Sequence, residues 1–99
     1  MITHVVIFWV DKPHAENKTK LLAAAATLGT IPGCQNFRVG GPVPSSRGAV
    51  DDSFAVAISM DFADAETAQT YQAHPIHQDF ITGGFKEFCK RFVVYDFEE

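Results

Sequence analysis

Ninety-nine residues make room for one small domain with a single core. A hydrophobic fraction of 46% beside 20% charged residues is that of a folded globular chain and not of a disordered one. The net charge is −4 and no run of Lys or Arg is present, which excludes the clustered basic face that nucleic-acid binding requires.

The stretch Met1–Val10 is apolar enough to resemble a signal segment. It lacks basic residues before it and a small-residue cleavage site after it, and Asp11-Lys12-Pro13 ends it too soon to span a membrane. Thr3–Val10, β-branched and aromatic, is therefore expected to be a strand, and no membrane partner is expected. Ala15–Leu28 reads as a helix, with Leu21, Ala24, Ala25 and Leu28 on one stripe and Gly29 expected to close it in a left-handed turn.

Ile31-Pro32-Gly33 turns the chain into a second strand, Cys34–Val39, which Gly40-Gly41-Pro42 ends. Val43–Asp52 is expected to be a mobile loop, and Phe54–Phe62 a third strand. Asp64 is a good N-cap for a helix to Ala73 whose stripe is Ala65, Ala68 and Tyr71. Pro75 disfavours helical geometry at His74 yet suits the first position of a new helix, so a break at His74 and a short helix to Thr82 follow, stopped by Gly83-Gly84. Phe85–Cys89 is expected to add a helical turn, and Phe92–Phe97 a final strand.

The order β-α-β-β-α-β is that of a ferredoxin-like α+β domain, one antiparallel four-stranded sheet with helices on one face. The first strand is apolar on both sides: Val5, Ile7 and Trp9 on one, Val6, Phe8 and Val10 on the other. Two short helices cover one face only, so the second face is expected to pack against another copy, with Trp9 in the contact of a two-fold homodimer. Asp96 is read as an edge-strand charge that discourages further pairing.

The chemistry-bearing stretch is Tyr71-x-x-His74-Pro75-x-His77, running on to Phe80. It gathers a phenol and two of the four histidines within seven residues, and histidine is the side chain that changes charge near neutral pH. His77 is the candidate general acid or base and Tyr71 its partner; both also fit a purely structural reading, with hydroxyl and ring nitrogens satisfied inside the core. His74 reads as a cap or hinge at the mouth of the same cavity. His4 shares a strand face with Val6 and Phe8, and with Phe80 these complete the expected binding wall. Phe80, Phe85 and Phe88 serve equally as core.

A metal held by His4, His74 and His77 lacks supporting Cys or carboxylate spacing, so none is expected. His14 is expected to be solvent-exposed. Cys34 and Cys89 have no metal-type spacing and fit free thiols in a reducing cytoplasm. No Rossmann or phosphate-loop glycine pattern occurs, and no cofactor is expected.

Taken together, His4-Val5-Val6-Ile7-Phe8, Ile31-Pro32-Gly33, Phe62-Ala63-Asp64, the Tyr71–His77 motif and Val93-Val94-Tyr95-Asp96-Phe97 resemble the stress-responsive A/B barrel (Dabb) family along essentially the whole chain. The resemblance implies a dimeric α/β barrel of two ferredoxin-like subunits. In a plant member that closes a polyketide ring, the catalytic pair falls here on Tyr71 and His77, and a strand-one histidine on His4. A further histidine of that member falls on Val56, and its bulky first-helix wall on Lys20, Leu21 and Ala24, so the likeness stops short of its substrate.

Three functions are compatible with these residues. The first is a homodimer that binds a small apolar or aromatic molecule, with acid–base chemistry such as aldol-type cyclisation. The second is a non-enzymatic stress or structural dimer, and the third a cofactor-free monooxygenase-like protein.

Overall fold

Residues along β1 (Ile2–Val10) alternate between buried and half-buried, because successive side chains of a strand point to opposite faces. His4, Val6, Phe8 and Val10 form the buried set. The computed structural model describes residues 1–83 and 85–99, and in it β1 is one of four strands; β2 is Gln35–Gly40, β3 Val56–Phe62 and β4 Cys89–Glu98. The sheet order is β2-β3-β1-β4 and every pairing is antiparallel. This is the ferredoxin-like α+β architecture expected from the element order.

The helices are α1 (His14–Ala26), α2 (Ala65–Ala73), α3 (Pro75–Thr82) and the single turn α4 (Phe85–Phe88). They cover the face that carries Val6, Phe8 and Val10 of β1 and Val56, Ile58, Met60 and Phe62 of β3. Leu21 and Ala25 of α1 and Tyr71 of α2 close the core from above. Each large apolar side chain buried in this layer contributes about 1.5–3 kcal/mol. The opposite face carries Val5, Ile7 and Trp9, half-buried, with Tyr95 and Phe97 exposed beside them on β4.

Some element ends differ from the sequence expectation. α1 ends at Ala26 and tightens into a 3-10 turn over Thr27–Thr30 instead of reaching a left-handed Gly29. Gly29 sits inside that turn, and a Cβ there would lie 2.6 Å from the Phe37 ring, so the position is glycine for space and not for handedness. Among the described residues, the left-handed glycine is Gly33, at φ +90°, where the chain enters β2. β4 begins at Cys89, three residues earlier than expected, because Arg91 and Cys89 pair with Trp9 and Val10 across a register shift. Gly84, half of the expected helix stop, lies outside the described residues; Gly83 caps α3 through its N–H to the Asp79 carbonyl.

Among the described residues, no helix is long and apolar enough to cross a membrane.

Candidate functional site

The break at His74 is what brings the site together. Asp64 starts α2 by accepting hydrogen bonds from the Thr67 N–H at 2.8 Å and the Thr67 hydroxyl at 2.7 Å. α2 then runs to Ala73, and His74, in extended backbone at φ −64° and ψ 141°, ends it. The same residue starts α3, its Nδ1 accepting from the Ile76 N–H at 3.1 Å, with Pro75 in the first helical turn. The chain changes direction there and turns His77 back toward Tyr71.

The two rings meet edge to face, with centres 5.0 Å apart. Tyr71 is 1% exposed and also packs against Phe62, at 4.9 Å, and His4, at 6.0 Å. Beneath them lies a cavity of about 120 Å³ whose polar lining comes from His4, Tyr71, Gln72 and His77. Val6, Phe8, Phe80 and Phe85 are part of its apolar wall, which Phe92 and Val94 of β4, half open to solvent, complete at the rim. Phe80 and Phe85 stack at 5.0 Å, so the aromatics that line the cavity also close the core.

Of the residues singled out from sequence, the structure brings His4, Val6, Phe8, Tyr71, His77 and Phe80 to this one cavity. His74 stands apart from it. Its ring nitrogen is engaged in capping α3, and it is absent from the cavity wall because Pro75 holds its backbone outside both helices.

The electrostatics of the pair are set by burial. His77 is held below the ordinary histidine range by desolvation first and by the neighbouring His4 second, while the Gln72 backbone carbonyl pulls the other way. Its Nδ1 is buried and has no hydrogen-bond partner among the described residues. Burial also pushes the Tyr71 phenol up, with Cys34 adding a smaller push, so the hydroxyl stays protonated throughout the physiological range.

One residue beside the cavity was not placed there from the sequence. Asp96 of β4 lies opposite His4 in the β1–β4 ladder, and its Oδ1 stands 2.5 Å from His4 Nδ1. That contact holds the ring of His4, which is 8% exposed and lines the cavity. The available signal was parity: Asp96 shares an alternation with Val94 and Phe92, so it belongs to the helix-covered face once β4 is paired.

Among the described residues, no group of three or more His, Cys, Asp or Glu side chains is placed to hold a metal ion. Cys34 and Cys89 are separate, half-buried free thiols. His14 is the exposed first residue of α1.

A four-stranded antiparallel sheet with helices on one face, and a cavity lined by histidine and tyrosine beneath them, defines a ferredoxin-like α+β protein. The chain belongs to the Dabb family, the Stress responsive A/B Barrel Domain, which matches residues 2–99. Among solved structures it is similar to a Dabb family protein of Mesorhizobium loti, with 24% identity, a TM-score of 0.78, and coverage of 99% of this chain and 95% of that one. It is similar also to a dimeric ferredoxin-like protein of Thermobifida fusca, at 19% identity and TM-score 0.78, covering 99% and 90% of the two chains. The hydroxynitrile lyase of Passiflora edulis shares the fold at 16% identity and TM-score 0.78, covering 97% and 90%. No curated protein matches the chain.

Proposed function

We propose that this protein is a homodimer that binds a small apolar or aromatic carbonyl compound under Tyr71 and His77 and moves a proton within it. The observation that carries the reading is the buried, unpartnered Nδ1 of His77. An orphaned buried acceptor costs roughly 1–3 kcal/mol. Such a cost persists where the lone pair has a use, and perturbed titratable groups in a cavity mark functional sites.

The chemistry follows from the two protonation states. A neutral His77 that carries its proton on Nε2 keeps the buried, unpartnered Nδ1 as a base. Nδ1 takes a proton from the carbon beside a carbonyl, and the electron pair moves onto the carbonyl oxygen. Tyr71, kept protonated by burial, donates its O–H to that oxygen. Attack of the enolate carbon on a second carbonyl closes an aldol-type bond, and His77 returns its proton to the new alkoxide. His4, oriented by Asp96, is a second imidazole at the polar end.

The size of the cavity limits the ligand. An apolar cavity of about 150 Å³ holds one benzene ring, so about 120 Å³ accepts a single ring or less unless Phe92 and Val94 give way at the rim. The dimer is supported by the apolar sheet face, where Tyr95 is 61% and Phe97 53% exposed, a patch that a second sheet would cover. The Thermobifida fusca protein is described as dimeric, and the Passiflora edulis lyase is an enzyme built on the same fold.

The test is deuterium wash-in to the methyl group of acetophenone in heavy water, followed by NMR. Wild type is expected to accelerate it, and His77→Ala to lose about 10²-fold of that acceleration, the usual share of one general base. Equal rates for two folded proteins would leave the second reading, a non-enzymatic dimer, which the small cavity volume favours.

A further inference from the structure

The ligand class proposed for His77 is larger than the cavity that takes it. One benzene ring occupies a cavity of about 150 Å³, and the space under Tyr71 and His77 is about 120 Å³. A ring and a carbonyl group do not both fit there, so part of an aromatic ketone lies outside it.

Beside this space runs an open groove of about 370 Å³, within the roughly 300–1,000 Å³ of small-molecule sites. His4 and Gln72 line both spaces and so form the wall they share. The groove is on the helix-covered face of the sheet. Ile2 pairs with Phe62 and His4 with Asp96, and all four line it with the parity of the buried side of β1. A second sheet packed on the opposite face leaves it uncovered.

One stripe of α2 makes the other side. Ala65, Ala68, Gln69 and Gln72 recur at i, i+3, i+4 and i+7, and all four face the groove. The two alanines leave the width a flat ring needs. The two glutamines bring carboxamides, and Asp96 brings a carboxylate whose Oδ1 is engaged by His4 Nδ1. Among the described residues, Asp96 Oδ2 makes no hydrogen bond, and the side chain is 57% exposed. An ionised carboxylate only accepts, while a carboxamide both donates and accepts. A ligand hydroxyl satisfies both, donating to Asp96 and accepting from a glutamine N–H. An anionic tail would meet the like charge of Asp96.

We propose that groove and cavity are two halves of one binding site, whose ligand is an elongated methyl ketone with a phenolic tail. The ketone sits beside Tyr71 and His77, and the linking carbons pass Gln72. The ring lies over Ala65 and Ala68, with its hydroxyl at Asp96. Gln72 is exposed, so its side chain swings aside without disturbing the core. This rests on the ligand-binding part of the reading given for His77, and it makes Asp96 a specificity-determining residue.

The full chain is titrated with para-hydroxybenzylacetone, with benzylacetone and with butanone, and followed by amide NMR. The proposal expects the phenolic ketone to shift the Ala68 and Gln69 amides together with those of Tyr71 and His77, at one dissociation constant. Removing the hydroxyl weakens binding about ten-fold, as loss of a hydrogen bond to a carboxylate implies. Ala65→Phe, which fills the groove from an exposed position, abolishes that difference and leaves the butanone response at His77 unchanged. Equal affinity of wild type for the two aryl ketones overturns the proposal. So does a response to the phenolic ketone confined to one half of the site. Both comparisons use wild type, so the test holds even if Ala65→Phe fails to fold. Butanone separates this proposal from the reading beneath it. A His77 response to butanone, with no groove response to the phenolic ketone, ends this proposal alone; no His77 response to any of the three ends both.

Discussion

His4 and Asp96 face each other across the β1–β4 ladder, and their Nδ1 and Oδ1 atoms stand 2.5 Å apart. The carboxylate belongs to an edge strand and its side chain is 57% exposed, while the imidazole is 10% exposed. The pair thus joins the solvent-facing rim of the sheet to the interior of the His77 cavity. Ring position, more than stability, is what the contact supplies.

Asp96→Asn follows from that imbalance. A partly exposed pair is worth about 0–1 kcal/mol. Urea unfolding is expected to give a loss in that range, while the ring nitrogen resonances of His4 change because the carboxylate no longer fixes its tautomer. A loss of several kcal/mol would make Asp96 a structural group.

His74 separates architecture from site. Its ring caps α3 through the Ile76 N–H and lines no part of the cavity. His74→Ala is expected to cost about 1 kcal/mol, as other lost N-caps do, with His74→Asn recovering most of it. Acetophenone wash-in should stay at the wild-type rate in both. A collapse of the rate in a stable His74→Asn protein would place the ring in the chemistry.

Tyr71 carries two separable contributions. The ring is almost wholly buried between Phe62, His4 and His77, so Tyr71→Ala is expected to cost about 3–5 kcal/mol. Among the described residues its hydroxyl makes no hydrogen bond, so Tyr71→Phe should unfold in urea within about 1 kcal/mol of wild type while its wash-in rate falls. A Tyr71→Phe protein as fast as wild type removes the phenol from the mechanism.

The depressed pKa of His77 sets a pH dependence. A histidine whose folded pKa lies below its unfolded value, about 6.5, leaves the unfolded chain holding more protons between the two values. Stability contributed by the neutral ring is intact above the unfolded pKa and falls as pH drops through that window toward the lowered folded pKa. Wild type should therefore lose stability relative to His77→Asn between neutral and mildly acidic pH. Parallel curves for the two proteins would mean that His77 is not desolvated.

Much of this was legible from the chain. Strand alternation in Val5–Val10, the Asp64 cap and the His74-Pro75 break each depend on a local rule, and each local rule placed its element to within a few residues. What escaped was long-range. Asp96 reads as a mere edge charge until the β1–β4 register is known, since a slip of one residue would move it to the other face. Gly29 suggested a left-handed cap because the ring of Phe37, eight residues on, is not a neighbour in sequence.

The central claim is that His77 presents a free, unprotonated Nδ1 to a ligand. Ring nitrogen NMR of His77 at neutral pH, with and without acetophenone, measures that directly. The account predicts a neutral imidazole protonated only at Nε2, with an Nδ1 resonance that moves to saturation as ligand is added. A protonated Nδ1, or a resonance that stays fixed at saturating ligand, would contradict it.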